Sequence, residues 1–186
     1  LKSMGYGKQA ENSVHLSYEH VGLEDEMSSP AGQIAEARAS AKKFSGRMGT
    51  WIGFTADELY SEGMKRAEAK IKGEVMGDER GRIATAVAAA AIRFSFLKTT
   101  PEKKITFRWD DALSLEGDSA PYVMYAHARA HKIFEKAGEG KIGQLSGLAL
   151  AEKGLLKRIM LFEFAALESS RHMRPHIMAD YCLELA

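Results

Sequence analysis

Lys42-Lys43-Phe44-Ser45-Gly46-Arg47-Met48-Gly49-Thr50-Trp51 gathers two adjacent lysines, a serine, an arginine and two glycines ahead of an aromatic residue able to anchor a loop. Glycine lets a backbone turn sharply or come close to a ligand. Lysine as a point charge and arginine as a fork, with backbone N–H groups, make a cradle for polyphosphate. A solvated basic loop is the plain alternative. A second set lies beyond Pro121, a residue suited to the first position of a helix. From there Tyr122, Tyr125 or Ala126, and Arg129 recur every three or four residues and share a face. Two aromatic planes and a guanidinium on one face are equipment for gripping unstacked RNA bases. The same spacing also fits tyrosines packed at a domain seam. His15 and His20 read as surface or core residues, because no Cys or Asp stands at metal-ligand spacing. His172 and His176, four apart on an expected helix, could take a metal only with a third ligand that the sequence does not offer.

The elements that must hold these residues are mostly helical. At 186 residues the chain can form one domain or two small ones. Its 26 Lys and Arg against 25 Asp and Glu leave a formal charge of +1, so any nucleic-acid surface must be a local patch. Cys182 is the single cysteine, which excludes an internal disulfide and argues for an intracellular chain. No apolar run approaches membrane-spanning length, and nothing at the start reads as a signal peptide. The opening Leu1, without an initiator Met, suggests a piece of something longer.

In chain order, residues 1–7 read as a helix end closed by glycines, and Ser13 to Val21 as a strand rich in β-formers. Residues 23–42, punctuated by Pro30 and Gly32, read as a loosely ordered lead-in to the basic loop. Thr55 and Glu58 form a capping box for a helix to about Lys72, with Leu59, Met64, Ala67 and Ile71 as its apolar stripe and Gly73 as its stop. A second helix is expected from Asp78 to Lys98, burying Ile83, Val87, Ala90, Ala91, Phe94 and Leu97. Its Ala88–Ala91 run would let a neighbouring backbone approach closely. Lys103 to Trp109 alternates as a short strand does. Leu145 to Leu167 reads as two helices with apolar faces from Leu148, Leu155, Leu156, Ile159, Phe162 and Phe164. Lys153, Lys157 and Arg158 take the polar side, more readily as a solvated face than as RNA contacts.

Three stretches resemble arginyl-tRNA synthetases. Trp109-Asp110, Ala112-Leu113-Ser114, Glu116-Gly117, Pro121-Tyr122, Tyr125-Ala126 and Ala128-Arg129 match the family's segment between catalytic and anticodon-binding domains. Lys43-Phe44-Ser45-Gly46-Arg47 resembles, in register, the Lys-Met-Ser-Lys-Ser loop of class I synthetases, with Gly46 and Met48 departing from the form this family often uses. Pro175-His176, Ala179, Tyr181 and Leu185-Ala186 resemble a later helix of the family. The likeness spans about residues 13–22 and 43–186.

The resemblance implies a mainly α chain: the end of a Rossmann-type α/β catalytic domain (1–54), connecting helices and a short strand (55–108), then the first part of an α-helical anticodon-binding bundle (109–186). It implies arginine–tRNA ligase activity, with ATP and its accompanying Mg2+, L-arginine and tRNA-Arg as partners. It also implies a cytoplasmic monomer without a protein-bound metal or a membrane. Lys43, Ser45 and Arg47 would hold the departing pyrophosphate, Lys43, Phe44, Ser45 and Gly46 would line the ATP site, and Tyr122, Tyr125 and Arg129 would face the anticodon loop. The piece alone is expected to be inactive. The alternatives are another class I synthetase, cysteinyl or glutaminyl, and a non-catalytic helical RNA-binding or scaffold module derived from a synthetase.

Overall fold

The structure is a computed structural model that describes residues 2–19, 21–23, 55–71, 73, 75, 77–138 and 147–186. The lead-in, the basic loop and His20 lie outside the described residues.

The chain opens with a 3-10 turn, Lys2–Met4, and a short helix α1 (Gly7–Glu11). Between them Gly5 takes a φ of 84°, a left-handed geometry that glycine adopts without a Cβ clash. The strand expected over Ser13 to Val21 is instead confined to β1 (Val21–Leu23). Residues 13–19 are exposed and irregular, tied down by the Glu19 N–H donating to the Pro101 carbonyl at 2.8 Å. Among the described residues their β-forming composition meets no neighbouring strand, and strand propensity expresses mainly that packing. β1 pairs in parallel with β2 (Ile105–Phe107), Val21 opposite Ile105 and Leu23 opposite Phe107.

α2 (Ala56–Lys70) starts on the expected capping box: the Glu58 amide donates to Thr55 Oγ1 at 3.2 Å, and the Thr55 amide donates to Glu58 Oε2 at 2.8 Å. Its C-terminal carbonyls are met from α3 (Asp78–Leu97), where Arg80 Nη2 donates to the carbonyls of Glu68 and Ile71. α2 and α3 pack along one another through small residues. Gly63, Ala67, Ala84, Ala88 and Ala91 are all buried at this seam, and Leu59, Met64, Ile71 and Val87 close its sides. The Ala88–Ala91 run thus admits a close neighbour as anticipated. The buried line of α3 is Ala84–Ala88–Ala91, however, and Leu97, expected inside, lies exposed past the end of the α2 contact.

Phe107 and Trp109 close the core beneath this pair, ring edge to ring face at 4.9 Å, with Ala112 of the short helix α4 (Trp109–Ala112) and Leu113, which caps it, beside them. The long helix α5 (Ala120–Ala137) then leaves the core and packs on α3 by its first turns. After residues 139–146, which lie outside the described residues, come α6 (Leu150–Met160), α7 (Phe162–His172) and α8 (Pro175–Leu185). α8 packs on α7 and reaches α3, burying Ala179 and Tyr181, with the Tyr181 ring 5.9 Å from Phe162. Burial also pushes the Cys182 thiol above its ordinary pKa.

The apolar faces expected for the α6–α7 pair are only weakly covered. Leu155, Ile159, Phe162 and Phe164 are exposed, and α6 buries no residue among those described. Nor do His172 and His176 share a helix. Met173 takes the left-handed conformation (φ 51°, ψ 42°) and ends α7, so the two histidines fall on different axes. Among the described residues no helix is long and apolar enough to cross a membrane.

Candidate nucleic-acid interface

The run from Trp109 to Ser119 works as a mount for α5. Trp109 is buried against Gly63, where an added Cβ would lie 2.8 Å from the far edge of the indole, and the Arg66 guanidinium lies 5.8 Å from the indole centroid. Lys70 Nζ donates to the Leu113 carbonyl at 3.2 Å, and Lys98 Nζ donates to the Asp118 carbonyl at 2.6 Å, so α2 and α3 both hold the loop. Inside it Ser114 Oγ accepts from the Glu116 amide at 3.0 Å, and Gly117 takes a φ of 78° that turns the chain back. Ser119, only 2% exposed, donates through Oγ to the Ser114 carbonyl and accepts from the Tyr122 amide at 3.2 Å. It is the N-cap of α5. Pro121 accordingly sits one residue further in than the sequence suggests, at the second helical position, where its missing N–H is still without cost.

That mount holds α5 by its first turns and leaves the rest of the helix exposed. Tyr122 is half-buried against the core side, whereas Tyr125 is 54% exposed and Arg129 is exposed one turn on. The Arg129 guanidinium carbon stands 5.7 Å from the centroid of the Tyr125 ring. A cation over an aromatic plane orders both groups while the ring's other face stays free for stacking. The structure therefore brings Tyr125 and Arg129 together and sets Tyr122 at their root. The same face continues to Lys132 and Lys136, both exposed, which the search for aromatic and forked groups passed over. Their spacing of seven and eleven from Tyr125 was the available signal.

Of the other residues singled out in the sequence, those among the described residues lie away from this face. Lys43, Phe44, Ser45, Gly46 and Arg47 lie outside the described residues. His15 is exposed on the irregular N-terminal segment. His172 pairs with Glu168 at 3.4 Å, and His176 Nδ1 is buried with no hydrogen-bond partner among the described residues. Among the described residues no three His, Cys, Asp or Glu side chains come together as a metal site would need. Lys153 and Lys157 are solvated, and Arg158 is held by Glu184 of α8.

A helix that leaves a small core and presents an exposed ring beside a guanidinium, followed by three packed helices, is the geometry to set against known helical domains. Residues 123–186 match the family model of the DALR anticodon binding domain. Beyond that domain, the whole chain is homologous to arginyl-tRNA synthetases. It is 41% identical to the arginine–tRNA ligase of Thermococcus sibiricus, over 100% of this chain and 28% of that protein. It is 40% identical to that of Thermus thermophilus, again over 100% of this chain and 28% of the relative. The solved arginyl-tRNA synthetase of Thermus thermophilus superposes with a TM-score of 0.77 at 39% identity, over 97% of this chain and 27% of that one. That of Plasmodium falciparum, at 18% identity and a TM-score of 0.60, shares the fold over 89% of this chain and 32% of that one. The chain thus spans a little over a quarter of the length of the relatives it matches. The expected mainly helical architecture, a helical anticodon-binding domain included, is borne out.

Proposed function

We propose that the chain serves in an arginine–tRNA ligase, where the α5 face grips the anticodon loop of tRNA-Arg. The observation that carries this reading is the exposed Tyr125–Arg129 pair, 5.7 Å from ring to guanidinium, on the first helix of the matched domain. A splayed base stacks on the free face of Tyr125, Tyr122 backs the ring from the root of the helix, and Arg129 holds a neighbouring phosphate. The enzyme's reaction joins arginine to ATP as an adenylate, releases pyrophosphate, and passes arginine to the terminal ribose of the tRNA. ATP enters with Mg2+, and the work belongs to a cytoplasmic monomer. In that scheme Lys43, Ser45 and Arg47 neutralise the pyrophosphate as charge builds on it, with Phe44 and Gly46 shaping the loop around the nucleotide.

The test is a pair of measurements on the chain, melting temperature and affinity for a tRNA-Arg transcript. Stacking of one base is worth about 1–3 kcal/mol by alanine substitution, so Tyr125→Ala should weaken binding roughly five- to a hundred-fold. Its melting temperature should stay close to that of the wild type, because the ring buries little. A lower melting temperature with unchanged affinity would make Tyr125 a packing residue and sink the assignment. A catalytically silent scaffold would bind tRNAs of other identities as well as tRNA-Arg, which the same assay reads with a second transcript.

A further inference from the structure

Beyond Arg129 every residue of α5 is exposed, so this half of the helix stands clear of the core. At about 100° per residue, Tyr125, Arg129, Lys132 and Lys136 fall within about 60° of one another, along about 16 Å of axis. The single acid of α5, Glu135, lies about 90° round from this line and pairs with His131 Nδ1 at 3.4 Å. Elsewhere among the described residues five arginines meet carboxylates, Arg66 with Glu62, Arg80 with Glu68, Arg108 with Asp111, Arg158 with Glu184 and Arg174 with Glu102, whereas Arg82, Arg93 and Arg171 are scattered singly with none within 4.0 Å. Arg129, Lys132 and Lys136 have no carboxylate within 4.0 Å among the described residues. In a chain of net charge +1, three unopposed cations in one line make a local field suited to an anion that is itself linear.

We propose that Lys132 and Lys136 extend the Tyr125–Arg129 pair into a rail for one phosphodiester strand of the tRNA, running on from the bases that Tyr125 stacks. This rests on the anticodon-loop reading above. Tyr125 reads a base, Arg129 fixes the first phosphate, and the two lysines follow the backbone without regard to sequence. The competing explanation is that lysines in the last turns only complement the helix dipole. It predicts a small change in stability and none in the salt dependence of RNA binding.

The experiment measures the Kd of the full chain for a tRNA-Arg transcript across a salt series. Each phosphate contact to single-stranded RNA contributes about 0.7 to the slope of log Kd against log salt, rising to about 0.9 on duplex. Lys132→Gln with Lys136→Gln should therefore lower that slope by about 1.4–1.8 and weaken binding roughly 25- to 60-fold at about 0.1 M salt. Lys132→Arg with Lys136→Arg should keep the wild-type slope, which separates charge from folding. Lys153→Gln with Lys157→Gln, on the solvated face of α6, should also keep it. An unchanged slope in the first pair, or an equal fall in the α6 pair, overturns the rail. Tyr125→Ala run alongside keeps the two claims apart. If it weakens binding while the lysine pair does not, only the rail is lost; if it changes nothing, the anticodon-loop reading fails too.

Discussion

Gly63 and Tyr125 face opposite physical constraints. A methyl group at Gly63 would meet the buried Trp109 ring at 2.8 and 3.2 Å and the Ala88 Cβ at 3.3 Å. Phe107 meets the indole edge to face on one side and Leu113 is buried beside it, which leaves the ring little room to retreat. Gly63→Ala should therefore cost about 1–3 kcal/mol, as overpacking of a closed core does. Urea denaturation would show a lower midpoint at unchanged slope. An unchanged midpoint would mean that the indole can shift, and that the α2–α3 seam is looser than its spacing implies. Tyr125 lies at the other extreme, 54% exposed, where truncation should weaken tRNA binding and leave stability almost untouched. The two substitutions thus test separately whether the mount and the grip are independent.

At the scale of elements, the decisive feature is how each helix ends. α2 ends at Lys70, where Ile71 turns to extended backbone two residues ahead of Gly73, and its last carbonyls are satisfied from outside by Arg80. α5 ends on Gly138 with φ 67°, where glycine is the natural residue. α7 ends on Met173 in the same left-handed region, and the Arg174 amide donates back to the Ser169 carbonyl at 2.9 Å. A side chain there carries a steric cost of roughly 1–2 kcal/mol. Part of any gain from removing it is returned through the greater freedom of an unfolded glycine. Met173→Gly should therefore raise stability by up to about 1 kcal/mol, read as a higher melting temperature. A lower one would show that the half-exposed methionine contributes more through packing than its backbone loses.

The molecule as a whole divides its labour between a tightly closed core and faces left open. The α2–α3–Trp109 core is built from alanines and aromatics in close contact, while apolar side chains of α6 and α7 such as Phe164, 64% exposed, face solvent among the described residues. The chain spans a little over a quarter of the length of the relatives it matches. On the function proposed above, it is a recognition and mounting unit that brings the basic loop, and no arginine pocket, to the activation of arginine. These 186 residues should accordingly give no arginine-dependent exchange of pyrophosphate into ATP. A measurable exchange rate would require an amino-acid pocket within this chain and overturn that view.

What the sequence determined by itself was local. The Thr55–Glu58 box, the stop near Gly73, the long helix opening at Pro121 and the shared face of Tyr125 and Arg129 depend on contacts within a few residues, so periodicity and capping chemistry exposed them. The Trp109–Arg129 motif also carried the kinship, because its glycine, serine and proline each meet a backbone requirement that few substitutes satisfy. What only the tertiary structure decided depends on partners distant in the chain. Ser13 to Glu19 composes a strand, yet lacks a neighbour and stays irregular. The buried line of α3 runs through Ala84, Ala88 and Ala91 because Gly63 and Trp109 press there, and the longer side chains at Ile83 and Phe94 sit at its margins. His172 and His176 are four residues apart in sequence and divided by one left-handed methionine. The last turns of α5 are rich in apolar and basic residues alike, and only the absence of a described element packed over them turns that half of the helix into an open face.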